Sequence, residues 1–157
     1  MKKKISFLLA SFFGSGYLRP ASGTWGSLAS FITIVPVAYF YGFLGVVFFS
    51  LSAFIIGWLA SRVVLRYTEH DPSFIVIDET VGQTVTFLFV ANMLKGNFNF
   101  WYLYIIGFAL FRLFDIAKPF IVGWADRKLE NALGVMLDDV FAGLFASISL
   151  YIITLFI

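Results

Sequence analysis

The sequence predicts an all-α, multihelical integral membrane protein with about four to five membrane-embedded helices and an acidic site at the cytoplasmic interface. Three observations carry that prediction. Of the 157 residues, 61% are hydrophobic and only 13% charged, against about 25% charged in an ordinary soluble domain. Residues 20–61 contain no Asp, Glu, Lys, Arg or His. Five of the nine acids sit at the borders of apolar stretches. The same composition excludes a disordered chain, a basic nucleic-acid module and a two-domain enzyme. With no cysteine, disulfides, thiolate metal sites and Cys nucleophiles are excluded too. The expected organisation is one domain over residues 1–157.

The chain opens with Lys2, Lys3 and Lys4 before a short apolar run. This resembles the start of a signal peptide, but no A-x-A cleavage site follows. Residues 5–13 are too short to span, and they predict an interfacial helix anchored by the lysines. The uncharged run that follows would reach about 63 Å as one helix, roughly twice a bilayer core. It must fold back once, and residues 41–45, with two glycines, are the expected corner. Spans are predicted over residues 28–41 and 44–64, the first with Pro36 as a possible kink. A third is predicted over 81–94, a fourth from 101 to about 114, and a fifth over 140–157. Residues 66–73, 95–99 and 123–131 read as short polar connections, with Trp101, Tyr102 and Trp124 as interfacial aromatics. His70 reads as a solvated loop residue.

The basic residues then orient the chain. Lys2–Lys4, Arg19, Arg62, Arg66, Lys118, Arg127 and Lys128 fall on one side of the predicted spans, and Lys95 on the other. The positive-inside rule places the N-terminus in the cytoplasm. Asp78, Glu79, Asp115, Asp138 and Asp139 then all lie at the inner interface. A carboxylate at the bilayer centre costs about 2.5–3.5 kcal/mol, so acids beside spans need a reason. Each has a local explanation: Asp78 or Asp138 as a helix N-cap, Asp115 and Lys118 as an i,i+3 pair. Five acids at one depth nevertheless repel unless a cation sits among them. All-oxygen ligands suit a hard ion, Mg²⁺ first. Arg112 and Lys118 flank Asp115. Residues 19–27 form a Gly/Ser/Thr loop running into a helix start, whose backbone N–H groups and hydroxyls suit an anion, the alternative being a capped loop with Thr24 or Ser27 as N-cap. Metal, cations and an N–H cradle together suit a phosphate group.

Four motifs occur in order: GTWGSLAS (23–30), IVIDETVGQ (75–83), FRLFDIAKP (111–119) and GVMLDDVFAG (134–143). Together they resemble the phosphatidylglycerophosphatase A family of bacterial inner-membrane lipid phosphatases. The resemblance implies a multihelical all-α fold and Mg²⁺-dependent conversion of phosphatidylglycerophosphate to phosphatidylglycerol and inorganic phosphate. Residue by residue it points to Thr24 and Gly26, Asp78 and Glu79, Arg112 with Asp115 and Lys118, and Asp138 with Asp139. The residues before IVIDE depart from the pattern, which leaves Asp71 outside the expected site. Asp78, Glu79, Asp138 and Asp139 are the expected metal ligands. Asp115, Lys118 and Asp139 are the expected catalytic groups. Thr24, Gly26, Ser27, Arg19 and Arg112 are the expected phosphate contacts. The expected partners are the lipid substrate and the bilayer, with no nucleic acid. A small cation transporter or channel subunit is the alternative, because acids near spans also mark ion paths. A phosphohistidine mechanism needs two histidines, and this chain has one.

Overall fold

The computed structural model describes residues 2–68, 72–129 and 131–157. Among these lie seven α-helices: α1 Lys3–Ala10, α2 Ser22–Val64, α3 Ile77–Val85, α4 Ala91–Leu94, α5 Tyr102–Ala117, α6 Ile121–Lys128 and α7 Ala132–Thr154. No strand occurs among the described residues. His70 and Asp71 lie outside them. Among the described residues, three helices are long and apolar enough to cross a membrane: Ser22–Val64, Phe98–Ala117 and Ala132–Thr154. Their outward faces carry Ile32, Phe48, Ile105 and Ile116, all more than half exposed. Apolar exposure on this scale suits a chain whose surroundings are lipid.

The long uncharged run folds back within the expected corner. Gly42 takes φ 60° and ψ −141°, the one non-helical position inside α2. Glycine adopts such dihedrals without a Cβ penalty. The Phe43 N–H donates to Asn92 Oδ1 at 3.0 Å, and the Gly96 N–H donates to the Tyr39 carbonyl at 2.9 Å, so α4 and the turn after it clamp the corner. In a straight helix Gly26 and Gly57 would stand about 46 Å apart. Instead they pack against the adjacent residues Val76 and Ile77. The two arms, residues 22–41 and 43–64, therefore lie side by side. Pro36 does not break the first arm. Small residues face inward on both arms, including Ser27, Ser30, Ala53 and Ala60, which allows close approach.

The third apolar stretch is not the continuous span that its hydropathy predicts. Residues 77–94 form α3 and α4, joined by turns, and neither helix reaches spanning length. The reason lies in its polar residues. Thr80, Gln83, Thr84 and Thr86 are fully buried, and the three threonine hydroxyls donate to carbonyls four residues back. Where the helix breaks, the Phe89 N–H donates to Ser147 Oγ on α7 at 3.2 Å. Irregular backbone is tolerated at such depth when protein covers it. Among the described residues three helices are thus long enough to span, the first of them bent into two arms.

Helix starts also move. The first arm begins at Ser22, not near residue 28, and α7 begins at Ala132, eight residues before the predicted start. Asn131 caps α7, its Oδ1 accepting from the N–H groups of Leu133 and Gly134. The stretch read as a polar connection over 123–131 is largely α6. At the N-terminus, α1 ends at Ala10, short of the expected residue 13, because Phe12, Phe13 and Gly14 turn the chain with positive φ.

α7 packs against α3, α5 and α6. Its approach to α3 is close. A methyl group placed on Gly143 would overlap the Gly82 carbonyl, and one placed on Gly82 would fall 2.5 Å from the Asp139 carbonyl oxygen. Backbone meets backbone there. That contact brings the acids of the two helices together.

Candidate active site

One cavity of about 340 Å³ collects the starts of α2 and α3, the end of α5 and the second turn of α7. Asp78, Glu79, Asp115, Asp138 and Asp139 all line it, with Arg112 and Lys118. The helix ends carry these side chains to one place because the α2 hairpin and the Gly82–Gly143 contact fix their heights. Neither local explanation for the acids holds. The N-caps are Val76 for α3 and Asn131 for α7, so neither Asp78 nor Asp138 is the N-cap residue, although Asp78 Oδ1 accepts from the Glu79 N–H at 3.0 Å. Asp115 and Lys118 do not pair with each other. Lys118 closes α5 in a left-handed conformation (φ 44°), and its Nζ donates across to Asp138 Oδ2 at 3.0 Å. Arg112, one turn earlier, donates to Asp115 Oδ2 at 2.6 Å.

The five acids divide into two kinds. Asp115 and Asp138 each hold a cation. Asp78, Glu79 and Asp139 form no ion pair among the described residues, and they are the three that converge. Each offers a carboxylate oxygen, and these oxygens lie within 4.8 Å of one another. Glu79 Oε2 is buried without a hydrogen-bond partner. Asp139 is 4% exposed and Asp78 8%. Burial raises the Asp78 carboxyl well above the usual carboxylate range, and the charge of Glu79 adds to it. Burial likewise raises Glu79. Each shift expresses the cost of a desolvated negative charge beside another. An all-oxygen donor set with an orphaned carboxylate oxygen fits a hard divalent cation.

The loop before the first arm contributes less than its motif suggests. Because α2 starts at Ser22, Thr24, Gly26 and Ser27 lie inside the helix and none of them lines the cavity. Gly26 is buried against Val76, and Ser27 Oγ donates to the Gly23 carbonyl at 2.8 Å. Both are packing residues. Ser22 and Gly23 line the cavity instead, with first-turn N–H groups that an α-helix leaves without intrahelical partners. A methyl on Gly23 would fall 2.5 Å from Glu79 Oε1 and 3.3 Å from an Arg112 nitrogen, so a larger residue there would displace those side-chain ends. Arg19 lines an adjoining cavity, not this one.

Reading charges along the chain passes over Ser22, Gly23 and Ser73, which are neutral. It also passes over Gln83, one turn beyond Glu79 on α3. Gln83 is fully buried, and neither amide atom has a partner. Its place in the IVIDETVGQ motif is the signal that could have flagged it.

Comparison with known proteins identifies the family. The phosphatidylglycerophosphatase A family model matches residues 8–154. The chain is 39% identical over 157 aligned residues to the phosphatidylglycerophosphatase A of Haemophilus influenzae, covering 96% of this chain and 93% of that relative. It is 34% identical over 150 residues to the phosphatidylglycerophosphatase A of Escherichia coli, covering 93% of this chain and 81% of the relative. No solved structure matches the chain. Its four motifs, spread over helices that meet at one acidic cavity, and its match over nearly the whole length place the chain in the phosphatidylglycerophosphatase A family.

Proposed function

We propose that this chain is a Mg²⁺-dependent lipid phosphatase of the bacterial inner membrane, hydrolysing phosphatidylglycerophosphate to phosphatidylglycerol and inorganic phosphate at the cytoplasmic face. The observation that carries the reading is the division of the five acids, in a chain of this family, into two that hold cations and three that do not. Asp78, Glu79 and Asp139 would hold the metal. Mg²⁺ bound there supplies positive charge for the phosphate and a more acidic water as the nucleophile. Lys118 and Arg112 stabilise the charge on the non-bridging phosphate oxygens. Asp138 holds Lys118 and Asp115 holds Arg112, so both cations are aimed before the lipid arrives. Ser22 and Gly23 line the same cavity, and their first-turn N–H groups would add donors to an anion. A site at helix ends reaches the headgroup while the acyl chains stay in the bilayer. The lysine-rich N-terminus supports the cytoplasmic orientation. Lys95, the one basic residue expected on the far side, packs at the Gly42 corner, an arm's length of about 30 Å from the acids.

The test is phosphate release from short-chain phosphatidylglycerophosphate by the purified protein in detergent. Release is expected with Mg²⁺ and none in excess EDTA, and Mg²⁺ is expected to raise Tm by relieving the carboxylate repulsion. Full turnover in EDTA would remove the metal from the account, and no release with Mg²⁺ would remove the function. Lys118→Ala is expected to lower kcat about 10²- to 10³-fold, as losing one transition-state donor does. An unchanged kcat would take Lys118 out of the phosphate site.

A further inference from the structure

A second cavity, of about 540 Å³, adjoins the acidic one and shares Ser22 and Ser73 with it as a common wall. Among the described residues no acid lines it, and the one charged side chain there is Arg19. Arg19 forms no ion pair among the described residues. The wall opposite is held firmly. Tyr17 stacks on Phe74 with ring centroids 5.1 Å apart, and Phe74 stacks on Phe7 at 5.6 Å. Gly16 packs directly on the Phe74 carbonyl. The chain from Gly16 to Ser22 is thus anchored on both sides of Arg19. Arg19 itself is exposed, and a guanidinium with no carboxylate partner among the described residues can take a phosphate or another oxyanion.

The phosphatase reading, on which this inference rests, brings a substrate with two phosphates, a terminal monoester and a phosphodiester, separated by one glycerol. We propose that the Arg19 cavity is the phosphodiester subsite, occupied while the terminal phosphate lies among Arg112, Lys118 and the acids. Arg19 is then a specificity residue. It reads a group that stays on the lipid product and that a lipid bearing only a terminal phosphate lacks. This differs from the sequence expectation, which put Arg19 on the phosphate being removed.

The experiment compares wild type with Arg19→Ala, Arg19→Gln and Arg19→Lys. The alanine and glutamine variants are expected to raise KM for short-chain phosphatidylglycerophosphate about 10- to 100-fold, with kcat held within about twofold. Competitive inhibition by dihexanoyl phosphatidylglycerol, which carries the diester alone, is expected to weaken by the same factor. Inhibition by inorganic phosphate is expected to stay constant, and Arg19→Lys to recover part of the loss. An equal weakening of both inhibitors, a fall in kcat at constant KM, a wild type insensitive to phosphatidylglycerol, or no change at all would each overturn the assignment. Calorimetric binding of dihexanoyl phosphatidylglycerol separates the two readings. Arg19-dependent binding in a protein that releases no phosphate would keep the subsite and discard the phosphatase.

Discussion

Asp139→Asn is expected to lower phosphate release about 10³-fold or more, because it removes one of the three carboxylates proposed to hold the metal. The substitution is nearly isosteric and relieves repulsion among buried charges. Its Tm without Mg²⁺ is therefore expected to equal or exceed that of the wild type, and the increment from Mg²⁺ is expected to vanish. Loss of turnover with gain of metal-free stability is a pattern that misfolding does not produce. Asp138→Asn, next in sequence, is expected to cost less, about 10- to 100-fold, since Asp138 pairs with Lys118 and is proposed to act through it. Rate measurements and thermal melts on both variants check the pair. Asp139→Asn retaining more than about a tenth of wild-type turnover would place the metal elsewhere.

Gly143→Ala is expected to lose activity by about 10²-fold or more and to lower Tm, although Gly143 carries no chemistry. Its added methyl would overlap the Gly82 carbonyl, and that neighbour is backbone, so the helices must part. Parting them moves Asp139 away from Asp78 and Glu79, and a misplacement of about 1 Å can cost about 10²-fold in rate. Overpacking of this kind also costs about 1–3 kcal/mol of stability. Ile148→Ala, on the exposed side of the same helix, is expected to change neither measurement much. A fully active Gly143→Ala would mean that α3 and α7 do not set the site.

Much of this was legible in one dimension. The absence of charge over residues 20–61, the two glycines near residue 42 and the siting of acids at apolar borders are properties of single residues and short windows. They were enough to predict helices, a hairpin and a shared acidic depth. The broken third stretch was less legible. Hydropathy averages over Thr80, Gln83, Thr84 and Thr86, whose polar groups are tolerated only because neighbouring helices cover them. The anion loop misled for a related reason. Glycines, serines and threonines suit a phosphate cradle and close helix packing equally well, and Gly26 and Ser27 proved to serve packing.

The sequence by itself determined that the chain is apolar and helical, and that its acids share one end of the helices. Which acid faces which cation was decided only by the tertiary structure. Asp115 and Lys118 stand three residues apart and look like partners. Yet the left-handed turn at Lys118 sends its ammonium to Asp138 on α7 and leaves Asp115 to Arg112. Pairing depends on distances of a few ångströms between side chains on different helices, and those follow from where Gly82 meets Gly143. Charge spacing along a chain carries no information about that contact. The three acids left over by the pairing are the ones whose oxygens converge.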